Sequence, residues 1–239
     1  GATKVCMVAD DAGFSDGAAN QQAYNAVLQA ATDLKLLVGR AKSDEQNDYA
    51  SAINSLIDTQ CSVIVGIGAA HADDLQAAAQ AHPAVEFLLV DAQPAEPRPN
   101  LKPLLFDLAD AAFLAGYVAA AQAPNDTVAL SQQTAEPYRN GFTAGVDYFN
   151  RTKGAAVQVV EEPGAAAAGV HKIVEAAVIS AIGESARGEF SSAPYYGTLR
   201  DGGVDIVPLD TSSSDELRSD VEALRAALID GSITPPAAG

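Results

Sequence analysis

The sequence predicts an α/β protein built as two Rossmann-like lobes on parallel sheets, the second lobe cut short. Three observations predict it. Short β-branched runs alternate with stretches whose apolar residues recur at helical spacing. The alternation continues as β-α-β-α-β-α-β to about residue 123. After the turn Pro124-Asn125-Asp126 a second and shorter series starts.

The elements follow in order. Residues 4–9 form the first strand, and Tyr24, Val27, Leu28, Ala31 and Leu34 then recur at helical spacing. Residues 36–38 make a short second strand. Ser43 with Gln46 has the capping-box spacing and precedes Tyr49, Ile53, Leu56 and Ile57, so a helix begins there. The β-branched run 62–66 ends in Gly66-Ile67-Gly68, an alanine-rich helix covers about 72–81, and 85–90 is a buried strand. Pro94, Pro97, Pro99 and Pro103 mark a connector, 104–106 a strand and 109–121 a helix. A strand–helix–strand order of this kind gives a parallel sheet with helices on both faces.

In the second series 127–130 and 156–160 read as strands and 137–150 as a helix. The order then breaks at Glu161-Glu162-Pro163-Gly164 and an alanine joint, 165–168. A helix over 172–182, a strand over 204–207 behind the turn Asp201-Gly202-Gly203, and a charged helix over 215–228 complete the chain, whose end from Pro235 is expected to fray. The expected first lobe comprises 1–123 and about 170–192. The expected second comprises 124–169 and about 193–239.

Composition narrows the function. The 239 residues are 48% hydrophobic and 19% charged, a globular balance. A formal charge of −17 argues against nucleic acid and anionic membrane surfaces, because both require a basic footprint. The acidity reads as a solvated surface. No apolar run reaches membrane-span length. No signal segment is expected within residues 1–239, because the chain enters a strand almost at once after Gly1-Ala2-Thr3, and this says little about location. Cys6 and Cys61 sit at two β runs; they either bridge, if those strands are neighbours, or remain two small buried thiols.

Asp10-Asp11 closes the first strand, where ligands of open α/β sheets bind. Paired acids there could hold a metal, as in a response-regulator receiver. That chemistry also wants an acid ending the third strand, and Gly66-Ile67-Gly68 stands there instead. Gly66-Ile67-Gly68-Ala69-Ala70-His71 has only the first two glycines of a dinucleotide fingerprint and reads as a tight turn. His71, His82 and His171 lack helical metal-site spacing and are expected at the surface or at helix ends. No nucleophile motif is present, so neither catalytic residues, a metal site nor a cofactor is expected. Asp10 and Asn20 remain: a carboxylate can accept both hydroxyls of a ribose, and an amide can read a base edge with one donor and one acceptor. The competing view is that Ser15 or Asp16 caps the helix and Asn20 is merely solvated.

Several stretches, in the right order, resemble one family. They are Val8-Ala9-Asp10 with Gly13, Asp16 and Asn20-Gln21; Ile64-Val65-Gly66-Ile67-Gly68 with Ala72-Asp73; and Ala112-Phe113-Leu114-Ala115-Gly116-Tyr117. Gly141-Phe142-Thr143-Ala144-Gly145-Val146 and the run Gly197-Thr198-Leu199 to Asp201-Gly202-Gly203-Val204, similar to a late family hairpin, continue the series. Together they resemble the basic membrane lipoprotein family of substrate-binding proteins, whose better-understood members bind purine nucleosides for ABC import.

The resemblance implies a type I periplasmic-binding-protein fold that closes on its ligand by a hinge. It implies an extracytoplasmic, lipid-anchored protein with an ABC permease as partner, the signal and anchor being absent from this chain. Asp10, Asn20, Gly68 and Lys172 are then the expected ligand contacts, with Lys172 opening a late helix whose family acid is here Glu175. An exported setting also favours a Cys6–Cys61 disulfide. Two departures stand out. Ala19 occupies the place of an aromatic residue that stacks on the base. The family's long stretch between Val160 and Gly169 is almost wholly missing. Both departures favour an alternative: a degenerate sensor or interaction module that binds no nucleoside.

Overall fold

A computed structural model of the chain describes residues 1–43, 48–163 and 169–236. Gln46 of the expected capping box, the joint 165–168 and the final residues of the tail lie outside the described residues. In chain order the elements are β1 (Lys4–Ala9), α1 (Ala19–Leu34), β2 (Leu37–Lys42), α2 (Tyr49–Asp58), β3 (Val63–Ile67), α3 (Ala69–Ala81), β4 (Glu86–Val90) and β5 (Leu101–Phe106). There follow α4 (Ala109–Ala121), β6 (Thr127–Leu130), α5 (Glu136–Lys153), β7 (Gln158–Glu161), β8 (Val170–Lys172), α6 (Val174–Ala186), β9 (Tyr195–Gly197), β10 (Val204–Ile206) and α7 (Asp215–Asp230).

The chain divides into two compact units, Gly1–Phe106 with Ile173–Gly197, and Asp107–Lys172 with Thr198–Gly239. The first is the expected α/β sheet. Its strands lie in the order β2-β1-β3-β4-β5-β9 and run parallel throughout. β1 reads as a continuous apolar run because it lies between two strands and under helices on both faces. Val5 through Ala9 are fully buried. α1 and α6 cover one face through Ala23, Ala26, Val27, Ala30, Val178 and Ile182. α2 and α3 cover the other through Ile53, Leu56, Leu75 and Ala79.

Cys6 on β1 and Cys61 just ahead of β3 are joined in a disulfide spanning 55 residues of sequence, with Cα atoms 6.0 Å apart. Gly39 on β2 makes room for it, since a Cβ there would stand 2.8 Å from Cys6 Sγ. β5 starts earlier than expected and includes Pro103. Asn100 and Leu104 turn their carbonyls toward β4, so Pro103 faces the opposite side. There β9 begins pairing only at Leu104, and the missing N–H removes no ladder bond.

The second unit is built differently. Its described strands form two small ladders, β6 with β7 in parallel and β8 with β10 antiparallel. This is the reduced second lobe. α4, α5 and α7 close its core around Leu114, Leu130, Phe142, Val146, Val221 and Leu224. α4 and α5 meet backbone to backbone. A Cβ on Gly116 would overlap the Phe142 carbonyl, and one on Gly145 the Phe113 carbonyl. The Phe-Leu-Ala-Gly-Tyr and Gly-Phe-Thr-Ala-Gly motifs are therefore the two halves of one helix contact.

Several boundaries differ from those expected. α4 belongs to the second unit rather than the first, because that glycine contact ties it to α5. β9 belongs to the first unit, because it extends the sheet beyond β5. β9 and β10 therefore lie in different sheets, and the run from Gly197 to Val204 is a turn held by Asp201 Oδ1 rather than a hairpin. Ser43 is not a helix cap: it precedes α2, whose N-cap is Asp48.

Candidate functional site

The site begins where β1 ends. The chain turns back after Asp10, with the Gly13 N–H donating to the Asp10 carbonyl at 3.0 Å. Gly13 takes φ 73°, a left-handed value that glycine adopts freely. Asp16 then organises the helix entry: its Oδ1 accepts from the N–H groups of Ala18 at 2.9 Å and Gln21 at 3.0 Å. With Asp16 serving the orphan donors of the first turn, Asn20 has no capping duty. It is not solvated either, being only 5% exposed.

Asn20 instead donates its Nδ2–H to Asp10 Oδ1 at 2.8 Å. The Ala12 N–H donates to the same oxygen at 3.1 Å. Oδ1 is thus doubly engaged, while Oδ2 takes no hydrogen bond among the described residues. The pair offers a ligand one ionised oxygen with two lone pairs, and beside it an amide with a second N–H and a carbonyl oxygen.

Gly68 follows β3, the neighbour of β1. At φ 85° and ψ 167° it occupies a region essentially closed to other residues. Its N–H donates to the Val90 carbonyl at 2.8 Å. Nothing stands within 4 Å of where its Cβ would be, so bare backbone borders open space at this strand end.

Two aromatic residues complete the corner, and sequence reasoning missed both. Tyr49, the first residue of α2, is buried. Burial, and then the negative charges of Asp10 and Asp11, raise its hydroxyl above the ordinary tyrosine range. His71, expected at the surface, is only 1% exposed. Its ring packs on Tyr49 at 4.2 Å between centroids. A histidine in the first turn of the helix after Gly68 was the available signal, but a lone histidine on a helix carries little weight. His82 does end α3 as expected, and His171 is exposed on β8.

The element expected to carry Lys172 is corrected. This residue lies on β8, paired with Val204 of β10, and α6 starts only at Val174. The ladder holds it extended although the following residues have a helical period. It belongs to the second unit, whereas Asp10, Asn20 and Gly68 share the first. In the second unit the β6–α5 corner is wound around Arg139. Its Nη2 donates to the carbonyls of Ser131 at 3.3 Å and Gln132 at 3.0 Å, and Nη1 pairs with Glu161. Among the described residues no group of three or more His, Cys, Asp or Glu side chains gathers to hold a metal. No described helix is long and apolar enough to cross a membrane.

Comparison with known proteins bears on this arrangement. Residues 3–171 match the family model Bmp, described as ABC transporter substrate-binding protein PnrA-like. Among solved structures, an ABC transporter solute-binding protein from Aeropyrum pernix K1 is similar at 18% identity and a TM-score of 0.79. The match covers 97% of this chain and 92% of that one. A solute-binding protein from Conexibacter woesei is similar at 18% identity and TM-score 0.76, over 99% of each chain. A transcriptional activator of the comK gene from Bacillus halodurans is similar at 17% identity and TM-score 0.77, over 98% of this chain and 100% of that one. At such identities the likeness concerns the fold. No curated protein matches the sequence.

Proposed function

The chain belongs to the Bmp family of PnrA-like ABC transporter substrate-binding proteins, and from that premise we propose that it captures a purine nucleoside for import. The family binds substrates rather than transforming them, takes a small-molecule ligand, works with a membrane permease and is extracytoplasmic. The Cys6–Cys61 disulfide fits an oxidising compartment.

One observation carries the nucleoside reading. Asp10 spends one oxygen on Asn20, and its other oxygen takes no hydrogen bond among the described residues. That oxygen accepts the ribose hydroxyls, Asn20 presents its remaining amide groups to the base edge, and Gly68 lets the ligand approach the backbone. The chain passes between the units at 106–107, 172–173 and 197–198, and the hinge is placed at these crossings. Ligand binding then shifts the population toward a closed form that the permease reads. A lipid anchor tethers the exported protein.

Ala19 sets the strength. Base stacking is worth about 1–3 kcal/mol, so without an aromatic side chain at Ala19 affinity falls by about one to two orders of magnitude. Calorimetric titration with adenosine, guanosine, inosine and uridine tests the proposal. A one-to-one complex with a purine nucleoside is expected. A second reading, an interaction or sensor module, is favoured by Ala19 and by the two-stranded ladders of the second unit. It is the outcome if all four titrations are silent.

A further inference from the structure

His71 is a buried group that nucleoside capture by Asp10 and Asn20 leaves unused. It stands in the first turn of α3, closely following Gly68, and is 1% exposed. Its Nδ1 lies 2.7 Å from the Ile67 carbonyl oxygen. A carbonyl can only accept, so Nδ1 carries a proton, and in the tautomer that leaves Nε2 bare, Nε2 is an acceptor. That Nε2 is buried and has no hydrogen-bond partner among the described residues. An unmet acceptor in a dry setting is expensive, and folded proteins seldom keep one without a use.

The surroundings indicate what the missing donor is. The ring of Tyr49 lies against His71 at 4.2 Å, tilted by 57°. The carboxylates Asp10 and Asp11 act electrostatically on the Tyr49 hydroxyl. Asp10 Oδ2, Asp11 and His71 Nε2 are all acceptors, so this corner selects a solute rich in hydroxyl or amino donors and repels phosphate. Tyr49 is the first residue of α2. The end turn of a helix opens at low free-energy cost, and Tyr49 packs directly on the His71 ring, so its ring is the one whose displacement the proposal invokes.

We propose that His71 is a further specificity-determining contact, its Nε2 accepting a hydrogen bond from a hydroxyl or amino group of the solute once Tyr49 has moved aside. The inference rests on the nucleoside-capture reading. It distinguishes nucleosides that carry a donor at that point from isosteres that lack it, and nucleosides from their phosphates.

His71→Phe keeps the ring against Tyr49 and removes both the Nε2 acceptor and the Nδ1–H donor to Ile67, whereas His71→Gln keeps an acceptor near Nε2. Both variants and the wild type are titrated with adenosine, guanosine, inosine and uridine, and with the monophosphate of the tightest binder. The thermal midpoint of each ligand-free protein is measured alongside. His71→Phe is expected to weaken the tightest complex about tenfold, with only a small fall in the ligand-free midpoint, because the lost bond to Ile67 is offset by removal of the unmet Nε2 acceptor. His71→Gln is expected to retain most of the affinity, and the monophosphate to bind more weakly than its nucleoside. Equal affinity in wild type and His71→Phe overturns this inference alone. So does a fall in the ligand-free midpoint that matches the loss of binding, since His71 would then be structural. A wild type silent to all four nucleosides overturns the capture reading and this inference with it. Should His71→Phe not fold, the imidazole 15N spectrum of the wild type decides. The Nε2 resonance is expected to shift toward a hydrogen-bonded value on nucleoside addition, and an unmoved resonance overturns the inference.

Discussion

Asn20 donates its amide N–H to Asp10 Oδ1 across 2.8 Å, tying the end of β1 to the first turn of α1. One oxygen of the carboxylate is consumed in positioning and the other is kept for a ligand.

Removing Asp10 separates the two duties. Asp10→Ala leaves the buried Asn20 amide without its acceptor, a loss of about 1–3 kcal/mol in denaturant unfolding. Nucleoside affinity is expected to fall further, by about a hundredfold, because a charge-assisted contact goes with it. Unchanged affinity alongside lowered stability would show the pair to be purely structural.

Tyr49 reports the charge of Asp10 without any ligand. Its hydroxyl titrates above the ordinary range because of burial first and of Asp10 and Asp11 second. Asp10→Asn should therefore lower the Tyr49 value without returning it fully, because burial persists. The sign for stability follows. A phenol whose pKa is raised on folding contributes in full below the unfolded value of about 10 and loses that contribution as pH climbs through the folded value. Side-chain 13C NMR of Tyr49 between pH 8 and 12 measures the titration. An identical curve in Asp10→Asn would place Asp10 out of electrostatic reach.

Gly116 and Gly145 let α4 and α5 touch at the backbone. Gly116→Ala or Gly145→Ala forces the helices apart and is expected to destabilise the second unit by about 1–3 kcal/mol or more. Gly68→Ala is the contrasting case. It meets no neighbour within 4 Å, and its cost of about 1–3 kcal/mol comes from backbone strain alone. Urea unfolding monitored by circular dichroism measures all three. A neutral Gly145→Ala would mean that α4 and α5 have freedom to separate.

The disulfide closes a loop across 55 residues. Chain-entropy arguments put its worth at about 4 kcal/mol. Cys6→Ser with Cys61→Ser should lower stability by that order in guanidinium unfolding. A change below about 1 kcal/mol would mean that the sheet already fixes the two ends.

Much of the first unit was legible in the amino-acid order, and the reason is physical. Strands buried on both faces, such as Val63–Ile67 and Glu86–Val90, read as compact apolar runs, and the helices between them force a parallel sheet. Asp10 and Asn20 were readable because a strand end and the following helix start must adjoin. Elements that depend on distant partners were not legible. β8 and β9 have three residues each, too few for a period, and exist because β10 and β5 offer edges. Lys172 looked helical because Val174, Ala177, Val178, Ala181 and Ile182 repeat at helical spacing just beyond it. α4 looked like the last helix of the first lobe by adjacency, and only its glycine contact with α5 assigns it elsewhere. The burial of His71 and its bond to Ile67 left no trace that a lone histidine could carry.

A crystal structure grown with the tightest-binding purine nucleoside is the decisive measurement. A ribose hydroxyl is expected within hydrogen-bond reach of Asp10 Oδ2, with the base edge beside Asn20. A nucleoside found away from Asp10, or no bound nucleoside at saturating concentration, would contradict solute capture at the β1–α1 corner.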